Sequence, residues 1–184
     1  MIRVYPFIFI LLWSSAFITT KPIIDNSNPF MALGFRFFFV AIGFYLFSVY
    51  TNQSIIIKKR SLIESVLSGV LFHGFYLGGV FYSISIGMPT GIAALIVTLQ
   101  PILTNALSGP ILGEKVTLKQ WIGVLLGFMG AALVLGLDIG SQIPLLGLIA
   151  TIIALIAITT STIWQKKLSN NLPLSVSNFY QAIG

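Results

Sequence analysis

The stretch IESVLSGVLFHGFYLGGVFYSISI (residues 63–86), GMP (87–89), TGIAALIVTLQPILTNALSGPIL (90–112) decides the fold. Two apolar runs, each near the ~20 residues that a bilayer-spanning helix needs, are separated by three residues. So short a link forces the two helices to lie antiparallel and adjacent. Outward from this pair, four more runs of span length occupy residues 5–24, 29–50, 118–137 and 144–164. The reading is an all-α, polytopic transmembrane helical bundle with six complete spans. A seventh run opens at Pro173 and reaches only Gly184, too short to span, so the chain is expected to be cut off partway through a larger design.

Composition agrees. Hydrophobic residues make up 57% of the chain and charged residues 8%, with a mean hydropathy of +1.00. Soluble domains carry about a quarter charged residues, and so few would leave a water-facing surface prone to aggregate. The net charge of +6 does not indicate nucleic acid, because the basic residues stand in short clusters beside apolar runs and form no basic face. With no cysteine, disulfides and thiolate metal sites are excluded. Arg3, the apolar stretch to Trp13 and Ser14-Ser15-Ala16 imitate a secretory signal, but the run continues to Ile24 and five spans follow. An uncleaved first helix is expected.

Charge also orients the bundle. With the N-terminus in the cytoplasm, Arg3, Lys58, Lys59, Arg60, Lys115, Lys119, Lys166 and Lys167 all fall on the cytoplasmic side. The opposite loops hold Asp25 and Asp138, with Lys21 near the outer end of the first helix. By the positive-inside rule this orients a multi-pass protein with its N-terminus cytoplasmic.

Residues 21–30 and 165–174 follow one plan: a polar helix end, an Asn-containing turn, and a Pro opening the next helix, where its missing N–H costs nothing. Aligning Pro29 with Pro173 pairs Phe35 with Phe179 and Ser15-Ala16 with Thr159-Thr160. Five helices separate the copies, so the second would run through the membrane inverted, as in many transporters. Chance similarity between two hairpins is the other explanation. The expected domains are a first five-helix repeat at 1–137 and the start of a second, inverted repeat at 144–184.

Five residues are candidates for lining a substrate site. Gln100 precedes Pro101 near the middle of the fourth span; the proline frees the Val97 carbonyl, and a freed group in lipid needs a partner inside the protein. The kink serves either a midplane site or packing. Arg36 lies about 10 Å into the second span at 1.5 Å per residue. It is either an anchor for an anionic substrate or a side chain snorkelling to the interface. His73 and Tyr76 share a face at i,i+3 in the third span, and the histidine is either a proton relay or a hydrogen-bonding group. Trp13 sits mid-helix, off the interfacial belt, where it packs in the bundle or lines a pocket. Gly123, Gly127 and Gly130 form a small-residue stripe that lets helices approach closely, within the fold or across a dimer, with packing inside the fold expected; Gly69, Gly74, Gly78 and Gly79 in the third span serve either the same packing or close backbone approach to a substrate.

No acidic residue stands at the centre of a span, and H-E-x-x-H, Walker and G-x-S-x-G motifs are absent. No catalytic residue, metal site or cofactor is therefore expected, and the chain does not read as an enzyme.

Residues 82–96, Leu99-Gln100-Pro101-Ile102-Leu103-Thr104, Leu112-Gly113-Glu114-Lys115-Val116-Thr117 and residues 121–130 resemble the EamA family of the drug/metabolite transporter superfamily. Trp13-Ser14-Ser15 and Arg36-Phe37 look like the family too. The resemblance implies ten helices in two inverted five-helix repeats with both termini cytoplasmic. It implies a secondary transporter of the cell inner (plasma) membrane for small metabolites, amino acids or related compounds, working by alternating access, with export the expected direction. This chain departs from it by supplying repeat one, a sixth helix and a stub of the seventh. Its expected partners are the bilayer, a small-molecule substrate, and either a missing C-terminal half or a second copy. The competing readings are a non-transporting truncated or structural membrane protein, and more remotely a membrane-embedded enzyme.

Overall fold

The computed structural model describes residues 4–113, 115–135, 142–169 and 172–184. Among them the order is α1 (Tyr5–Asn26), α2 (Pro29–Tyr50), α3 (Lys59–Ser85), α4 (Thr90–Leu112), α5 (Leu118–Leu135), α6 (Leu145–Ser169) and α7 (Leu174–Ile183), with no strand. Helices α2, α3, α4 and, over Leu145–Leu168, α6 are each long and apolar enough to cross a membrane.

Local chemistry sets the boundaries. Asn28 caps α2, its Oδ1 accepting from the N–H groups of Phe30 (3.0 Å) and Met31 (3.3 Å), and Pro29 supplies the first helical φ. The α3–α4 link turns at Gly87 with φ +96°, and α4 ends on Gly113 with φ +70°, a left-handed cap whose N–H donates to Gly109 O at 2.9 Å. Several helices outrun their apolar runs. α1 continues to Asn26, α3 begins at Lys59 rather than 63, and α6 continues to Ser169, because lysines and hydroxyl residues extend a helix into the interface where hydropathy stops reporting it.

The centre of the bundle is the pair α3 and α6. Their most apolar windows are 44% and 50% buried, against 6% for α2 and 11% for α4. α2 and α4 instead turn residues such as Phe35, Phe38, Phe39, Leu107 and Ile111 outward, as lipid-facing helices do. Small residues bring the central pair together: a Cβ on Gly79 would lie 3.1 Å from the Ala150 carbonyl and 3.2 Å from Ala154 Cβ. Around that contact pack Tyr76, Val80, Ile84, Ala93, Val97, Ala157 and Ile158.

The expected packing of the α5 glycine stripe is not made. A Cβ at Gly123, Gly127 or Gly130 would meet nothing within 4 Å, and α5 touches the bundle mainly through α4. The small-residue contacts lie on α3 instead, where the helix is enclosed on several sides. The tandem pattern at 165–174 is described in part: Pro173 stands immediately before α7 as Pro29 opens α2, while Asn170 and Asn171 lie outside the described residues.

Candidate functional site

Helix α3 does not keep one pitch. Lys59–Gly69 and Gly78–Ser85 are α-helical, but Val70–Leu77 is wound as a π-helix, and His73 and Tyr76 lie inside that segment. π-turns are rare and recur at functional sites. The wider turn undoes the i,i+3 alignment that a regular helix would give the two residues. Tyr76 is 2% exposed and joins the α3–α6 core. His73 is half-buried and points the other way, toward α2.

Against α2, the His73 ring lies 4.1 Å from that of Phe37, centroid to centroid, and its Nδ1 is enclosed without a hydrogen-bond partner. Phe72 stands between the two polar rings, 5.1 Å from His73 and 5.3 Å from Tyr76. His73 lines an open cleft of about 490 Å³ between α2 and α3, with Phe30, Leu33, Gly34, Phe37, Phe38, Gly74 and Gly78 along its walls. Ala182, Ile183 and Gly184 close one end. Arg36, exposed on α2, is near enough for its charge to act on both His73 and Tyr76. Arg36, His73 and Tyr76 are thus neighbours, with only His73 on the cleft wall.

Gln100 is placed elsewhere. α4 breaks at Thr98-Leu99, just before Gln100-Pro101, into Thr90–Val97 and Gln100–Leu112. The Gln100 Nε2 donates to Thr104 Oγ1 (3.0 Å) in its own helix and to Thr162 Oγ1 (3.3 Å) in α6. It ties the break to the central helix and does not line the α2–α3 cleft. Farther along α4, Thr104, Asn105, Ser108, Thr162, Lys115 and Lys166 surround a second, polar cavity of about 160 Å³. Trp13 lies on α1, and its side chain falls outside the described residues.

A polar ladder links α3, α6 and α7, and it does not stand out in any single span. Ser68 and Ser161 meet at 3.0 Å, and the Ser161 hydroxyl also reaches the Ser68 carbonyl at 3.0 Å. Gln165 donates to Ser161 Oγ (3.4 Å) and to Gln181 Oε1 (2.7 Å), and Gln181 donates to Ser177 Oγ (2.9 Å). The signal that would find it is polar spacing: Ser161/Gln165 and Ser177/Gln181 are both i,i+4 pairs. Among the described residues no cluster of His, Cys, Asp or Glu is arranged to hold a metal ion.

The arrangement has relatives. The family profile described as the EamA-like transporter family matches residues 4–136. An uncharacterized transporter of Bacillus subtilis, YvbV, is 24% identical over 161 residues, covering 86% of this chain and 51% of the relative. A probable amino-acid metabolite efflux pump of Escherichia coli is 24% identical over 164 residues, covering 88% of this chain and 52% of the relative. The E. coli inner membrane transporter YedA, itself uncharacterized, is 26% identical over 120 residues, 65% of this chain and 39% of the relative. The chain spans about half the length of the first two relatives. No solved structure matches it significantly.

Proposed function

We propose, from the premise that this chain belongs to the EamA-like transporter family, that it forms part of a secondary transporter carrying a small metabolite across the inner membrane. The family is one of transporters and not of enzymes, and the chain is a multi-pass membrane protein. The observation that carries the reading beyond the family is the π-helical turn of α3. It turns a titratable ring, His73, out of the core onto an aromatic- and glycine-lined cleft, beside the charge of Arg36. Rings and glycines offer flat apolar contact with close backbone approach, and the histidine and arginine offer polar and cationic groups. Such a set suits a small amphipathic solute with an anionic group, amino acids or related compounds, and two relatives are named for amino-acid metabolite efflux.

The mechanism we propose is alternating access, in the direction of export, between two inverted repeats of which residues 1–137 are the first. The N-terminus lies in the cytoplasm, as the placement of Lys58, Lys59, Arg60, Lys166 and Lys167 favours. In the intact protein Arg36 and His73 orient the substrate, Tyr76 backs them from the core, and Gln100 holds the broken α4 against α6. Trp13 is a further candidate substrate contact on its place in the sequence alone. The rest of the site comes from helices beyond this chain or from a second copy.

The test is flux into proteoliposomes containing the full-length gene product, with a panel of radiolabelled amino acids and their metabolites. Saturable flux with counterflow for at least one compound is the expected result. Flux no greater than in empty liposomes across the panel, with the protein folded, contradicts the proposal.

A further inference from the structure

Lys115, Lys119, Lys166 and Lys167 crowd the end of the bundle where α4 gives way to α5 and α6 finishes. Orientation in the membrane accounts for such lysines as a group. It does not account for the way they divide. Lys115 and Lys166, from two different parts of the chain, line the cavity of about 160 Å³ between the last turns of α4, the start of α5 and the end of α6. Lys119 and Lys167, their close neighbours in sequence, do not.

The rest of the lining suits an anion. Gln120 Oε1 caps α5, accepting from the Thr117 N–H (2.8 Å) and hydroxyl (2.9 Å), so its amide offers the cavity donors and no acceptor. Thr104 Oγ1 accepts from Gln100 (3.0 Å), which leaves its O–H to donate. Asn105 adds a second amide, while the Ser108 and Thr162 hydroxyls already donate to carbonyls of their own helices (2.9 and 2.8 Å). Among the described residues no carboxylate lines the cavity: Glu64 pairs with Arg60 on α3, and Asp25 lies at the far end of α1. Glu114 lies outside the described residues.

Size narrows the ligand. Sites that enclose a whole small molecule measure roughly 300–1,000 Å³. This cavity is smaller, and it shares no residue with the α2–α3 cleft, so it is no extension of that site. A compact anion that takes several donors and two cations fits it, and a phosphate group has that chemistry.

We infer that this cavity binds a phosphate group, held between Lys115 and Lys166 with Asn105 and Gln120 donating to its oxygens. The proposed topology turns this end of the bundle to the cytoplasm. Anionic phospholipids of that leaflet present phosphate at the depth where spans end, and basic pockets between helices there take lipid headgroups. Free phosphate in the cytoplasm offers the same group. The inference goes beyond the transport reading and does not depend on it.

The test counts bound molecules by native mass spectrometry of the full-length protein in neutral detergent. It is titrated with phosphatidylglycerol, with diacylglycerol of the same chains, and separately with inorganic phosphate. Lys115→Gln combined with Lys166→Gln is compared with Lys119→Gln combined with Lys167→Gln, which removes the same charge from the same end. Phosphatidylglycerol is expected to bind about tenfold more weakly to the first pair and within about twofold of normal to the second. Diacylglycerol is expected to distinguish neither. Lysine-dependent binding of the phospholipid alone assigns the site to a lipid headgroup, and the same dependence for inorganic phosphate assigns it to the soluble anion. If the first pair does not fold, acetylation of the unmodified protein reads the same site: bound phospholipid or phosphate is expected to protect Lys115 and Lys166 and leave Lys119 and Lys167 reactive. Equal weakening in both pairs, equal protection of all four lysines, or no binding that requires phosphate overturns the inference.

Discussion

His73 and Tyr76 are three residues apart, but substitutions at them test different things. Tyr76 is 2% exposed in the α3–α6 core, so Tyr76→Ala opens a cavity and is expected to destabilise the protein by about 3 kcal/mol. His73 is half-buried on a cleft wall, stacked on Phe37, and His73→Ala is expected to cost only about 1 kcal/mol. Thermal unfolding in detergent checks both, and equal losses would mean that the two rings are not divided between core and cleft. Loss of flux in Tyr76→Ala therefore says little about binding, whereas loss in His73→Ala speaks to it. Both residues were legible in the sequence as polar groups deep in a span. Their separation was not, because a π-helical turn shifts hydrogen bonds by one residue and leaves no mark in composition or spacing.

At the level of the helix, glycines of one type behave differently by position. Gly69→Ala places a methyl into the Gln181 carbonyl and is expected to cost about 1–3 kcal/mol, loosening α7. Gly123→Ala faces open space and is expected to be neutral or slightly stabilising in unfolding measurements. If Gly123→Ala is the damaging change, α5 is packed against something in the membrane. The sequence offered both the α5 stripe and the α3 glycines as packing residues, and only those on α3 make close contacts. Which stripe is covered depends on tertiary placement that spacing does not encode. The break in α4 was legible from Pro101, which lacks the N–H to continue the helix, and the structure puts it at Thr98-Leu99 immediately ahead. Gln100→Leu removes the bonds to Thr104 and Thr162 and is expected to destabilise by about 1 kcal/mol while leaving the break, readable as an unchanged helix content by circular dichroism.

For the molecule as a whole, four of the six expected spans, α2, α3, α4 and α6, are long and apolar enough to cross a membrane among the described residues, and they were legible because a bilayer demands long apolar runs that little else in a sequence imitates. The polar ladder was not, since each serine or glutamine is unremarkable in its own helix and becomes a ladder only when α3, α6 and α7 converge. The proposed topology makes a direct prediction: Ile56→Cys, 91% exposed beside Lys58–Arg60, is labelled from the cytoplasmic side, and Asn28→Cys at the α1–α2 turn from the outside. The central claim, a transport site on the α2–α3 cleft, is tested most directly by substrate flux in proteoliposomes of the full-length protein, comparing unmodified and His73→Ala forms. The account expects KM to rise about tenfold in His73→Ala, the loss of roughly 1.4 kcal/mol of binding, with the protein still folded. An unchanged KM and maximal rate in folded His73→Ala would place the site elsewhere.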